Sequence, residues 1–445
     1  MPVGVCSTAE HGMGFHYSDS PQMPRSEYDW ELGSPPPVIK LHSLVKHEII
    51  HAYVAKYISI LAANPAQRQL RLTLVDGFAG GGLYLREDSK EEHEGSPLII
   101  MNACREAEYL ANQNRANGFR LSVDYFFVEK NPQNYAYLDR LLRERGHGSE
   151  FGRTIHLLKG DIKQQIGKIT AFIEGKGRAR RAIFFLDQYG YDQVPRSLIR
   201  EILEGLPNAE IIFTFNVDAL ITFLSDSPQS HRLLEKIGLG QALREVSLAS
   251  LKLTDKAWRR TIQTYLHREL VEACGAKHFT PFFIRPGQGF GNYWLIHLSM
   301  HPRARSAMMD IHWELENRFI HFGGAGLNML GYTPKDDPLI TGQDSIEFLF
   351  DETSKDRSRE ALHEDLARFF GNRTEGLTFA QLVSETCNTT PASDAIYKES
   401  LGGLIKSKVL QVEGPDGQRR REGSSITPDD RISMLPQHLL FLFRR

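Results

Sequence analysis

The sequence predicts a doubly wound α/β domain followed by a winged helix-turn-helix, and three observations carry that prediction. Five apolar, strand-like runs alternate with helical stretches between residues 72 and 215, and such alternation gives a parallel sheet with helices on both faces. Two further strand-like runs, 278–285 and 293–300, are joined by a glycine-rich turn at 287–291, which predicts an antiparallel hairpin at the sheet's edge. From about residue 355 the order becomes helix, helix, helix, hairpin, as in a winged helix.

Residues 1–38 are rich in Pro, Ser, Gly and polar groups and end in Ser34-Pro35-Pro36-Pro37, so they read as a flexible arm without its own core. From His42 to Ala63, Leu44, Val45, Ile49, Val54, Ile58 and Leu61 recur at helical spacing, and Asn64-Pro65 stops the helix. Strands are expected at 72–76, 123–128, 154–158, 182–186 and 210–215, separated by helices at 97–116, 132–145, 162–174 and 195–205. The stretch from about 226 to 276 is long for a simple crossover and reads as a helical insertion, and a helix at 303–319 closes a domain spanning 39–350. The winged helix spans 351–445, with helices at 355–370, from Thr378 and after Pro391, and a hairpin around Gly414-Pro415-Asp416-Gly417. Its wing carries Arg419, Arg420 and Arg421, which either contact phosphates or form solvated surface.

A chain of 445 residues implies two domains, and 41% hydrophobic with 24% charged residues is ordinary for a globular protein with a sizeable core. The formal net charge of -2 excludes a whole-surface electrostatic grip on nucleic acid but leaves room for a local basic patch. Cys6, Cys104, Cys274 and Cys387 are scattered without a Cys-x-x-Cys pair, which argues against a disulfide framework and fits a reducing cytoplasm. With no apolar run of membrane-spanning length and no signal-peptide core, a soluble cytoplasmic protein is expected.

The run LTLVDGFAGGGLY, residues 72–84, holds the chemistry. A strand (Leu72, Leu74, Val75) stops at Asp76 and turns on Gly80, Gly81 and Gly82, where bare backbone admits a close neighbour that a Cβ would block. Asp-x-Phe-x-Gly-x-Gly is the opening loop of S-adenosylmethionine (SAM) methyltransferases. Asp76, Phe78, Ala79, Gly80 and Gly82 are therefore candidate cofactor residues. Five alternating strands and then a hairpin is also the order of the class I methyltransferase sheet, unlike that of an NAD-binding Rossmann domain. Glu129 ends the second strand where a ribose acceptor belongs, and Asp161, in Gly160-Asp161 after the third, sits where an adenine amino group is met. The fourth strand leads into Asp187-Gln188-Tyr189-Gly190-Tyr191, where amino-methylating enzymes place Asp/Asn-Pro-Pro-Tyr/Phe. There an acidic side chain and the next carbonyl accept the target N–H groups, and the aromatic ring stacks on the base. Asp187, Gln188 and Tyr189 are the candidate catalytic residues, with Gln188 and Gly190 departing from the Pro-Pro pattern and Tyr191 placed in the cleft. Asp76 and Glu129 lie much further apart than the roughly 20 positions of a minimal unit, and the extra length holds a polar loop at 86–94 and Gly95-Ser96-Pro97, material for a lid.

His47-Glu48-Ile49-Ile50-His51 matches His-Glu-x-x-His, in which two histidines one helical turn apart bind zinc and the Glu activates water. The extended pattern needs Gly and His where this chain has Val54 and Tyr57, and no carboxylate lies between Ala52 and Val75 to complete a site. No metal is expected, and a zinc hydrolase is the remote alternative. His42 and Lys46 on the same helix either line the cofactor cleft or serve as capping and surface residues.

Taken together the chain resembles the three-Cys-motif partner proteins, a bacterial family of methyltransferase-like proteins. The matching segments are His42-Ser43 with Lys46-His47, DGFAGGGLY, Gly95-Ser96-Pro97, VEKNPQNYAYL at 128–138, Gly160-Asp161, LDQYGY at 186–191 and HPRARSAMMDIHWEL at 301–315. The chain is also distantly similar to ribosomal RNA adenine-N6 methyltransferases that share the Gly-Ser-Pro insertion. Family members usually show Asp-Pro-Tyr-Gly where this chain has Asp187-Gln188-Tyr189-Gly190. The resemblance implies SAM as cofactor and a partner protein carrying three cysteines but does not establish the substrate; a DNA or RNA base as acceptor is the expectation from the fourth-strand motif. A partner-dependent protein or peptide modifier and a catalytically silent scaffold are the alternatives.

Overall fold

The computed structural model describes residues 28–113, 115–241, 243–244, 247–254, 258–284, 293–315, 319–320, 326–327, 352–373 and 375–435. Residues 1–27 of the expected arm, Cys6 and the turn at 287–291 lie outside them.

Strands β1 (Gln69–Asp76), β4 (Arg120–Glu129), β5 (Ile155–Lys159), β6 (Ala182–Leu186) and β7 (Ala209–Asn216) form the parallel part of an eight-stranded sheet. Between the first two lies a small hairpin, β2 (Leu83–Leu85) and β3 (Glu92–Glu94), inside the loop expected to be merely polar. The order across the sheet is β5-β4-β1-β6-β7-β9-β8-β10, with β8 (His278–Ile284), β9 (Tyr293–Ser299) and β10 (Phe319–Ile320) joined by antiparallel pairing. The second strand of the expected hairpin, β9, is thus the inner one. Its Trp294, Leu295, Ile296 and Leu298 are all buried, so β9 has to be covered on both faces. The outermost place belongs to β10 and not to the hairpin.

Helices α1 (Leu41–Ala62), α2 (Ser96–Asn112) and α10 (Pro302–Glu314) cover one face, packing on Leu72, Leu74, Phe127 and Phe185. Helices α4 (Ile162–Glu174), α5 (Arg196–Gly205) and α9 (Trp258–Cys274) cover the other, over Val75, Phe126, Phe184 and Leu186. Side chains two apart share a face, and every residue of β6 is buried, which is why its sequence AIFFL is apolar without alternation. Helix α3 (Pro132–Leu142) follows β4, and α6 (Val217–Phe223), α7 (Pro228–Lys236) and α8 (Leu248–Thr254) follow β7. The expected insertion is in part a correction: α9 packs against α5, with Leu266, Leu270 and Cys274 buried, so it belongs to the sheet-covering layer.

The C-terminal helices Glu352–Gly371, Phe379–Thr386 and Asp394–Lys406 carry a small sheet of β11 (Leu377–Thr378), β13 (Arg431–Met434) and β12 (Leu410–Glu413), in that order. One apolar core runs from α1 and β1 through Trp313 into Leu362, Phe379 and Leu401, so the winged helix is welded to the sheet domain. Residues 28–38 are likewise not a coreless arm. Trp30 is 3% exposed, Val38 bridges Leu85, and Ile39 N–H donates to Leu85 O at 2.9 Å. Among the described residues no helix is long and apolar enough to cross a membrane.

Candidate active site

Because β1, β4, β5, β6 and β7 run parallel, Asp76, Glu129, Lys159, Leu186 and Asn216 all close one edge of the sheet. Ligands of open α/β sheets bind outside that edge. Asp76 is buried there, its Oδ1 accepting from Phe78 N–H at 3.0 Å and its Oδ2 from the Ser96 hydroxyl at 2.6 Å. Burial, opposed by those two bonds and reinforced by the charges of Asp187 and Glu129, pushes its carboxyl up to about 7. Glu129 accepts Gly80 N–H at 2.8 Å and Asn131 N–H at 2.6 Å. Burial raises its carboxyl, and the backbone donors hold that rise back.

The glycines of the loop answer to packing. Gly80 and Gly82 have φ of +60° and +80°, the left-handed region that favours glycine. A Cβ on Gly81 would lie 2.3 Å from the Trp30 indole, and one on Gly82 would lie 2.7 Å from Leu138. Gly95 backs onto Gly82, donating its N–H to Gly82 O at 2.8 Å. The Gly95-Ser96-Pro97 insertion thereby acquires a role, since Gly95 supports the loop and Ser96 holds Asp76. Ala79 is buried with its N–H on Val128 O at 3.0 Å, and Phe78 is half-buried beside the core of the second face.

Asp187 does not stand open. Lys46 Nζ donates to both of its carboxylate oxygens, at 2.7 and 2.6 Å, from a side chain 9% exposed. Helix α1 is itself fixed to the sheet by a buried cluster in which the Tyr53 hydroxyl and His297 both meet Glu210. Gln188 points inward: its Oε1 accepts from Gln193 and Val194 N–H, each at 2.9 Å, and its side chain staples the loop that prolines would otherwise stiffen. Tyr189 is 39% exposed at the mouth, Gly190 turns with φ of +94°, and Tyr191 is half-buried. Asp161 caps α4 through Lys163 N–H at 3.0 Å and faces Lys130 at 3.5 Å.

The His-Glu-x-x-His pair separates. His47 stacks on His93 of β3, Nδ1 to Nε2 3.1 Å, and burial drives its imidazole down to about 3, so it is neutral. His51 instead meets Glu106 of α2 at 3.0 Å. His42 is buried beside Ser43. On the wing, Arg419 pairs with Glu413 at 3.2 Å and Arg420 makes a two-pronged bond to Asp430, at 2.9 and 3.1 Å, which holds that acid down at about 2. Arg421 is exposed. Of the three wing arginines only Arg420 is thus tied into the fold, while Arg419 and Arg421 stay at the surface. Sequence reasoning also missed Trp30 and Asn134, which it gave no role of their own, and it marked Gly95-Ser96-Pro97 without foreseeing the bond from Ser96 to Asp76.

The model of the GMT-like wHTH domain family matches residues 331–417. Among solved structures, similar chains include a protein of Staphylococcus aureus provisionally named a caffeoyl-CoA O-methyltransferase, at 11% identity, covering 54% of this chain and 79% of that one, with a TM-score of 0.25. Another, from Klebsiella pneumoniae and provisionally named an O-methyltransferase, has 13% identity, 55% and 79% coverage and a TM-score of 0.23. The plantazolicin methyltransferase BamL, solved with a substrate analogue and SAH, has 9% identity, 58% and 85% coverage and a TM-score of 0.22. Similarity at these TM-scores carries no argument by itself. No curated protein matches the sequence. The strand order and the family match together define a class I methyltransferase-like α/β fold carrying a winged helix-turn-helix.

Proposed function

We propose that the chain binds SAM at the carboxyl edge of its sheet and transfers the methyl group to an amino group of a nucleic-acid base, acting with a partner protein that carries a three-cysteine motif. The observation that carries the reading is the convergence of Asp76, Glu129 and Asp187 on the glycine loop, an acidic floor that favours a cationic ligand. SAM, when bound, supplies a methyl group on a sulfonium. Glu129 would take the ribose hydroxyls and Asp161 the adenine amino group. Tyr189 presents a ring for stacking a planar acceptor, and Asp187 accepts its N–H. The Lys46 ammonium, bonded to both oxygens of Asp187, fixes the direction in which that carboxylate faces.

The test is calorimetry with SAH, the demethylated cofactor. Binding in the micromolar range is expected for the wild type, with Glu129→Ala at least about tenfold weaker through loss of the ribose acceptor. No heat and no thermal shift with SAM or SAH would remove the cofactor from the reading. Mass analysis of nucleic acid from cells with and without the gene then tests the acceptor.

A second reading, modification of a protein or peptide, draws support from the winged helix. Residues 352–435 hold fourteen acids against twelve Lys and Arg, and two of the three wing arginines are ion-paired. Replacing Arg419, Arg420 and Arg421 with Ser is accordingly expected to lower the salt slope of nucleic-acid binding by about two units, the shares of the exposed Arg419 and Arg421, and not by three. Wild-type protein that binds no nucleic acid at any salt would put the protein acceptor first.

A further inference from the structure

We propose that residues 28–38 form a latch over the cofactor loop, with Trp30 and Asn134 as positioning residues for Glu129; this rests on the cofactor reading above. Trp30 is the single buried residue between 28 and 38, so its indole is the main anchor of the strap, with the half-buried Tyr28 adding hydroxyl contacts to Lys40 N–H at 3.1 Å and Ser43 at 3.2 Å. Its ring lies on Gly80 and Gly81, 3.0 Å from where a Gly80 Cβ would stand. Its Nε1–H donates to Leu83 O at 2.5 Å, which pins the chain leaving the same loop. Its backbone N–H donates to Asn134 Oδ1 at 3.2 Å, and the amide of Asn134 donates in turn to Glu129. The strap therefore reaches the ribose acceptor through one buried side chain, Asn134 being 4% exposed.

The strap is also built to move as a unit. Gly33, with φ of +91°, follows the anchor, and Pro35-Pro36-Pro37 then runs to the pairing of Pro37 O with Leu85 N–H at 2.9 Å. Successive prolines are stiff, so rotation at the glycine swings Trp30 without unravelling the rest. Tyr28 and Tyr84 pack edge-on beside the indole, giving it an aromatic seat to return to. Lifting Trp30 uncovers Gly80 and Gly81 and in the same motion releases Asn134 from its backbone donor. Cofactor exchange and strap opening are thus one event.

The experiment uses the full chain and SAH as probe, with release measured by rapid displacement. Trp30→Ala is expected to speed SAH release about tenfold, as for lids that limit ligand exchange. Trp30→Phe keeps a ring on the glycines but loses the Leu83 bond, so it should fall between wild type and Trp30→Ala. Asn134→Ala should weaken SAH binding and remove the acceptor of the Trp30 N–H, while the indole keeps its seat on the glycines and its bond to Leu83. The spectroscopic signature is the emission of Trp30 itself, taken as the difference between wild type and Trp30→Phe, which should change when SAH binds. If Trp30→Ala does not fold, that emission decides: a change supports the latch, and a constant signal overturns it. Tight SAH binding with unchanged release in Trp30→Ala also overturns the latch while leaving the cofactor reading intact. Wild-type protein that binds no SAH overturns both.

Discussion

Asp76→Asn is expected to raise the melting temperature most at about pH 8, less at about pH 5 and hardly at all below about pH 4, and to cost the protein its grip on SAM. The carboxyl moves from an ordinary 3.8 up to about 7 in the fold, with burial as the main cause. Between those values the folded chain holds a proton that the unfolded chain has lost, so stability is highest at low pH and falls as pH rises toward 7. Above that the ionised, buried group costs about 2–4 kcal/mol, with the bonds from Ser96 and Phe78 retained. Asparagine is neutral throughout and removes the slope. Binding runs the other way. The cationic cofactor is attracted by the ionised carboxylate, so SAM affinity should weaken as pH falls through about 7, and SAH, lacking the sulfonium charge, should weaken less. Parallel melting curves for the two proteins from about pH 5 to 8, with equal SAM affinity, would refute the assignment of Asp76 as the strained charge of this site.

Arg305→Met is expected to uncouple the winged helix from the sheet domain. The guanidinium is fully buried, and its two amino groups donate to Ala392 O at 2.5 Å and to Thr390 O. Next to it Trp313 Nε1–H donates to Pro391 O at 2.9 Å, and Asp394 N–H donates to Ser306 at 2.8 Å. Arg305 thus holds the turn that enters helix Asp394–Lys406, the helix that reads bases in winged helices that bind DNA. Methionine would fill much of the volume and remove a desolvated charge, which is a gain. It would also strand two buried carbonyls, at about 1–3 kcal/mol each, and that loss is the larger. The net cost is about 2–4 kcal/mol. Calorimetry should then show a separate, lower transition for the C-terminal helices, where the shared core of the wild type should give a single one. Arg305→Lys, restoring one donor, should recover part of the loss. A single transition at the wild-type temperature in Arg305→Met would show that the shared apolar core alone holds the two parts together.

Much of the sheet and of its acidic edge was legible in the sequence. Runs such as AIFFL at 182–186 and VDYFFV at 123–128 are apolar because both faces of a parallel strand are covered. The residues that end them must then meet at one edge, and Asp76, Glu129 and Asp187 could be placed there from local pattern alone. Helix stops were equally local, as where Asn64 caps the turn after α1 through Ala66 N–H at 2.9 Å.

Tertiary structure decided the partners. Lys46 and Asp187 are 141 positions apart, Trp30 and Leu83 53, and Arg305 and Ala392 87, and no periodicity links the members of such pairs. The glycine loop shows the difference most plainly. Its sequence said that something must approach the bare backbone closely, because a Cβ would stand in the way. Only packing could say that at Gly80 and Gly81 the neighbour is an indole from the polar N-terminal segment. The same holds for His47 and His51, which share a helix face by spacing yet turn to β3 and α2. Period and strand ends are fixed by the local chain, whereas the contacts that set charge and access at the site are fixed by which distant surfaces the core brings together.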